Sequence, residues 1–372
     1  MTQPQTQPHQ ISAATFAAWL DDGAELAVVD IRSPQDIVYY GSPLFGKNVP
    51  AATLLDEIGL YVPRKAVRTV LVDAGDGQAE TFAAQLRARG WPHLVALEGG
   101  FPGWLESGLA DRSFDIPGKT FALAVRDELG TPVTTVEQLA EQRARGEDVI
   151  VIDTRTVPEY TRDHVPGAVN IPGAELLLRL PELVPSASTQ VVVSCAGLPR
   201  AILGAQTLID AGVANPVSYL DDGTAAWRRA GWELETGATR VYGAETAEGR
   251  AFGRSHAAHL PTAGRFPEVD LATARAWAAD PERTTYLLDV RTPEEYAEGH
   301  LEGTLSAQGG QLLGLASRTI ATRGARLVLI DDEDGIRAAT VAHWLSRRNF
   351  EIAILRHAFA HAGAGAETTA QA

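Results

Sequence analysis

Thiols are almost absent from this chain: Cys195 is the only cysteine in 372 residues. A single thiol excludes an internal disulfide framework and any metal site built on several thiolates. Basic charge is also scarce, with 32 Lys and Arg against 47 Asp and Glu, a net charge of −15. That balance argues against a general nucleic-acid binder and against a basic membrane-surface protein, and leaves room only for a local basic pocket. No apolar run approaches the ~18 residues needed to span a bilayer. The opening segment, MTQPQTQPHQ, is polar, with no basic n-region and no apolar h-region following, so a signal peptide is not expected and a cytoplasmic protein is the default. What is present is the composition of a folded globular chain, 45% hydrophobic and 21% charged. At roughly 150 residues per domain, the length predicts two or three domains.

The chain repeats itself. Three apolar runs end in Asp-x-Arg: VVDIR (Val28 to Arg32), VIDTR (Val151 to Arg155) and LLDVR (Leu287 to Arg291). Each is followed by a second apolar run: TVLVDAG from Thr69, QVVVSCAG from Gln190 and RLVLIDDED from Arg326. Counting 43, 42 and 43 residues forward from Asp30, Asp153 and Asp289 reaches Asp73, Cys195 and Asp332. A further 18 residues lands on Trp91, Val213 and Phe350, just past a helix-like stretch. Then come LEGGFPGW from Leu97, LDDGTAAW from Leu220 and, more weakly, LRHAFAHAG from Leu355. Self-similarity at a fixed period marks repeated structural units.

Within each unit, β-branched-rich runs alternate with stretches such as FAAQLRARG, ILGAQTLIDAG and AATVAHWLSRR, whose apolar residues recur at three- and four-residue spacing. This predicts an α/β fold, each unit a mostly parallel sheet flanked by helices on both faces. Thr135 with Gln138 predicts a capping box at the first helix of the middle unit. The expected division is a first domain over 9–113, a connecting segment over 114–130 with a docking helix, and a middle domain over 131–237. A linker over 238–265, a third domain over 266–363 and a disordered tail over 364–372 complete it.

Asp-x-Arg, then Pro158-Glu159-Tyr160, then His164 to Gly167, then a strand, Cys195 and an Arg200 opening a helix, resembles the rhodanese (sulfurtransferase) family. The third unit repeats the first half with Pro293, Glu294, Tyr296, His300 and Gly303, while the first has Tyr40-Gly41-Ser42 where Gly-His would be expected. Most of the chain is similar to bacterial proteins with tandem rhodanese domains. The resemblance implies that Cys195 is the nucleophile and that its loop, Ala196, Gly197, Leu198 and Arg200, binds the substrate. It implies a small anionic sulfur donor such as thiosulfate and a cyanide or thiol acceptor, or a protein donor or acceptor, with no cofactor. The nine scattered His, paired in ligand fashion only at His256 and His259, argue against a metal, and charge and hydropathy against nucleic acid and membrane. Asp73 and Asp332 stand where the thiol would be, so the first and third units are expected to be inactive scaffolds that shape the entrance of the middle one.

The chemistry asks for a thiolate. A free thiol of pKa ~8.5 is only about 3% ionised at neutral pH. A helix N-terminus beneath it contributes up to ~2 kcal/mol, which would bring the value close to 7. Inward-facing N–H groups would then hold a persulfide sulfur. Pro199 has no N–H, which limits the donors, and Leu198 is expected to put an apolar group at the mouth. Asp153, Arg155, His164 and His300 read as structural. A Cys-dependent phosphatase is the first rival, but its loop is Cys-x5-Arg and Ala201 stands at that position. A sulfur-relay or protein-binding scaffold with slow small-molecule turnover is the second.

Overall fold

Each run ending in Asp-x-Arg forms a central strand of its own sheet, because its β-branched and aliphatic residues are buried on both faces. The computed structural model describes residues 9–43, 46–109, 116–184, 186–238, 240–348 and 350–359. The first unit holds β1 (Gln10–Ile11), β2 (Leu26–Asp30), β3 (Lys47–Asn48), β4 (Arg68–Val72) and β5 (Leu94–Leu97). The second holds β6 (Val133–Thr134), β7 (Val149–Asp153), β8 (Val169–Asn170), β9 (Gln190–Ser194) and β10 (Val217–Leu220). The third holds β11 (Thr285–Asp289), β12 (Leu305–Ser306), β13 (Thr322–Arg323), β14 (Arg326–Asp331) and β15 (Glu351–Arg356). Sheet order is β1-β5-β4-β2 with β3 beside β2, then β6-β10-β9-β7-β8, then β12-β11-β14-β15. Among the described residues the named strands pair in parallel within each unit, so the fold is the α/β architecture expected.

The Asp-x-Arg pairs finish the central strands. Asp153 accepts the Arg155 backbone N–H at 3.0 Å and its Nε and Nη2 at 2.9 and 2.7 Å. Arg155 also donates to the carbonyl of Asp163, which closes the next short helix. Arg32 and Arg291 repeat this with Asp30 and Asp289 and with the carbonyls of Gly41 and Gly299. These pairs are buried, and the fork geometry satisfies both ions at once. They are strand-end ties, as expected for residues present in units without a thiol.

The register corrects one assignment. Asp153 pairs with Ser194 and Asp30 with Val72, but Asp289 pairs with Ile330. The residue in the place of Cys195 is therefore Asp73 in the first unit and Asp331, not Asp332, in the third. Backbone bonds agree: the carbonyls of Cys195, Asp73 and Asp331 accept from Thr224, Phe101 and His357. The third loop carries one extra residue before its Arg, six positions from Asp331 to Arg337 against five from Cys195 to Arg200, which places Asp332 one position beyond the strand end.

Units two and three share a hydrophobic core. One cluster runs from Ile152, Val191, Val193 and Leu203 of the middle unit to Leu288, Leu329, Val341 and Trp344 of the third. Ala122 and Val125 of the helix Ile116–Leu129 join it, as a docking helix should. The expected linker is more ordered than its composition suggested. It folds as a helix, Ala247–Ala257, capped by Thr246, with Gly249, Gly253 and Ala257 buried. Gly and Ala there permit close packing rather than flexibility. Unit one has a core on each face of its sheet, one of them joined by Ala321 of the third unit. It is joined to the third unit by β13, antiparallel to β2, and by Glu25, which accepts the Thr284 N–H and the Arg64 guanidinium. The tail expected over 364–372 lies outside the described residues.

Candidate active site

Cys195 follows β9 directly and precedes the helix Pro199–Asp210. Its carbonyl accepts the Thr224 N–H at 3.0 Å, and the Ala196 carbonyl accepts that of Ala225 at 3.3 Å. These bonds tie the loop to the helix Gly223–Arg229. Gly223 is required there: a Cβ would come within 1.9 Å of the Cys195 carbonyl, and φ is +47°. Asp222 beside it is the only described non-glycine residue with positive φ, at 51°, and pairs with Arg229.

The thiol is enclosed. Cys195 is 1% exposed, and its Sγ lies 3.4 Å from the Gly197 N–H. Burial pushes the thiol above its ordinary value, against the Arg200 charge and the N–H groups of Gly197 and Ala201. The value near 7 expected from the helix end alone is therefore not reached, because desolvation of the anion outweighs the loop's donors. Ala196 is exposed and Gly197 half-buried. Leu198, expected at the mouth, is half-buried and packs against the core shared by units two and three.

Arg200 is 6% exposed, and its guanidinium is committed to a carboxylate. Nη1 and Nη2 donate to Glu159 at 2.7 and 2.9 Å. Burial acts to raise the Glu159 carboxyl, but the Arg200 fork, with the Thr156 N–H and hydroxyl, holds it well below the usual range. Glu159 is also the third residue of a capping box on Thr156, at the start of the helix Val157–Arg162. Thr135 and Gln138 form the box expected of them. The sequence reading missed the Glu159–Arg200 pair. Its signal lay inside the chain: Glu295 and Arg337 stand at the same places in the third unit, while the first has Asp36 and Gln78.

The two thiol-less loops are filled by carboxylates. Asp73 accepts the N–H groups of Gly75 and Ala79, both at 2.9 Å. Asp331 accepts those of Asp332 and Ala338 at 2.9 and 2.8 Å. Arg337 beside it pairs with Glu175, Glu245, Glu295, Asp331 and Asp332. His164 and His300 stack on Tyr160 and Tyr296 with Nδ1 on the same tyrosine's carbonyl, a structural arrangement. Among the described residues no group of three or more His, Cys, Asp or Glu could hold a metal. No described helix is long and apolar enough to cross a membrane.

The rhodanese-like domain family matches residues 12–107, 135–230 and 270–361. The crystal structure of a thiosulfate sulfurtransferase from Pseudomonas aeruginosa is similar at a TM-score of 0.85 and 37% identity, over 95% of this chain and 69% of that one. An HTH-type transcriptional regulator of Mycobacterium tuberculosis is 37% identical over 124 residues, 33% of this chain and 54% of the regulator. The match thus spans about half the length of that curated relative. With the threefold repeat and the matched residues covering most of its length, the chain belongs to the rhodanese-like family, as three such domains in tandem.

Proposed function

We propose that the chain is a sulfurtransferase that carries sulfane sulfur as a persulfide on Cys195. The observation that carries this reading is a lone thiol at a strand–helix junction, with its Sγ against the Gly197 N–H and the Arg200 charge nearby. The Cys195 thiolate attacks the outer sulfur of an anionic donor such as thiosulfate. The donor's S–S bond breaks, and sulfite leaves with the electron pair. A thiolate or cyanide then attacks the terminal sulfur, forms the new bond to it and returns the thiolate to Cys195. This is covalent, two-stage catalysis. Ala196, Gly197, Leu198 and Arg200 form the loop around the transferred sulfur. Arg200, held by Glu159, serves as a fixed positive charge beside it rather than as a free clamp on the donor.

Because burial raises the thiol, persulfide formation should climb with pH through a midpoint above the ordinary thiol value. Intact mass after incubation with thiosulfate tests the reading on wild type and Cys195→Ser. The expected result is a gain of one sulfur atom, absent from the variant and discharged by cyanide. No gain with thiosulfate, 3-mercaptopyruvate or a protein persulfide would sink it.

The enclosure of Cys195 favours a second reading, a sulfur relay or binding scaffold that a partner protein loads. Slow steady-state turnover of thiosulfate with fast single-turnover transfer from a protein persulfide would select it.

A further inference from the structure

Units two and three share a core, and across it the Glu159–Arg200 pair of the middle unit and Arg337 of the third are each met by a side chain of the other unit. Register makes the two residues counterparts. Asp153 pairs with Asn170 and Asp289 with Ser306, so Glu175 and Gln311 both lie five residues past the matched strand end. Glu175 crosses to Arg337 of the third unit. Gln311, on the helix Gly309–Leu315, crosses to the middle unit, where its Nε2 donates to Glu159 Oε2 at 3.1 Å. The accepting oxygen is the one that holds Arg200 Nη1. A carboxylate neighbour fixes the amide orientation, since only the NH2 side can donate. The Gln311 Oε1 is buried with no hydrogen-bond partner among the described residues, a cost retained in the fold. The same helix bears on Arg200 a second time: a Cβ on Gly314 would lie 2.9 Å from Arg200 Cγ and 3.4 Å from Pro199 Cβ.

The exchange of carboxylate for amide is the informative difference. Arg337 is surrounded by five acidic partners, Glu175 among them. Arg200 has Glu159, and its cross-unit neighbour is neutral. Resting on the sulfurtransferase reading of Cys195, we propose that Gln311 of the third unit is a positioning residue of the middle unit's active site, where it holds Glu159 and Arg200 in place without cancelling the Arg200 charge. The third unit then serves the middle one through a specific contact and not through bulk alone. A carboxylate at 311 would add a second negative charge at Arg200 and weaken its pull on the thiolate.

The test uses the full chain with Gln311→Glu and Gln311→Leu. Cys195 is titrated by thiolate ultraviolet absorbance, with Cys195→Ser as blank, and persulfide formation is followed by intact mass. Gln311→Glu should raise the thiol midpoint by about one pH unit and slow persulfide formation at pH 7 about tenfold. Gln311→Leu should do about a third as much, through loss of the donor alone. Gln311→Leu carries the test of positioning, because Glu shifts the midpoint by its own charge whether or not Gln311 holds Glu159 in place. Gly314→Ala, which displaces Arg200 sterically, should also raise the midpoint. Wild type that forms a persulfide while Gln311→Leu titrates and reacts like it would overturn the proposal. Midpoints shifted in the expected order, in a chain that takes sulfur from no donor, would leave the positioning role standing and remove the sulfurtransferase reading instead.

Discussion

The ionisation of Cys195 is a contest between burial and a single well-placed cation. Burial disfavours the anion, while Arg200 and the N–H groups of Gly197 and Ala201 favour it. Glu159 offsets part of the Arg200 charge, so the two residues should act on the thiol in opposite directions. Arg200→Gln should raise the Cys195 titration midpoint by about one pH unit, and Glu159→Gln should lower it by a similar or smaller amount. Thiolate absorbance of this single-cysteine protein reads both, and movement of the two midpoints in the same direction would refute the account. The Glu159 change also leaves Arg200 a buried charge without its counterion, which typically costs 3–5 kcal/mol. Glu159 is held ionised in the fold, so its stabilisation is present above the unfolded carboxyl value and is lost as pH falls through the folded one.

At the scale of the element, one strand–loop–helix junction appears three times with different fillings. From the place a thiol would occupy, Asp73 accepts the N–H of Ala79 in the first turn of the helix Gln78–Ala88. Asp73→Ala should destabilise unit one by about 1 kcal/mol, as loss of an acceptor for a first-turn N–H does, and leave the Cys195 titration unchanged. Urea unfolding and thiolate absorbance check the two halves of that statement. Asp331 is different, because it is fully buried and lies beside Arg337, which pairs with Glu175 of the middle unit. Burial, with Asp332 adding to it against Arg337 and the Ala338 N–H, pushes its carboxyl up to about 7. The raised value means that its contribution to stability is full below the unfolded carboxyl value and is lost as pH rises through 7. Asp331→Asn keeps an acceptor for Ala338 and removes the charge. It should therefore make the unfolding free energy of units two and three depend less steeply on pH between about 4 and 7.

Over the whole molecule, the cores divide differently from the repeats. Units two and three meet in one continuous cluster, whereas unit one carries a core on each face of its sheet, one of them joined by Ala321, and borrows β13 at the sheet's edge. Chemical denaturation should accordingly resolve two transitions, one for unit one and one for the two-three block. Arg337→Met removes the buried cation that Glu175, Glu245 and Glu295 share, and leaves Arg179 as the other cation on Glu175. It should lower the second transition by about 3–5 kcal/mol and leave the first in place. Fluorescence alone would blur the two, because tryptophans are distributed among all three units. Hydrogen exchange read segment by segment separates them.

The local pattern of the sequence determined the α/β units, their three Asp-x-Arg ties and the single thiol at a strand–helix junction. Strand periodicity, capping chemistry and repeat spacing are short-range properties, and each survives in a linear reading. Cys195 and Arg200 were legible for the same reason, being five positions apart on one loop. Tertiary structure decided the rest. It moved the third unit's thiol-equivalent from Asp332 to Asp331, because strand register is fixed by pairing across the sheet. It folded the Gly- and Ala-rich linker as the helix Ala247–Ala257, because small residues pack closely in a seam that composition does not reveal. It turned a thiol expected near neutrality into one raised by burial, since desolvation depends on what covers the sulfur. And it brought Gln311 to Glu159 across 152 residues of chain, a contact made only when two units close on a common core.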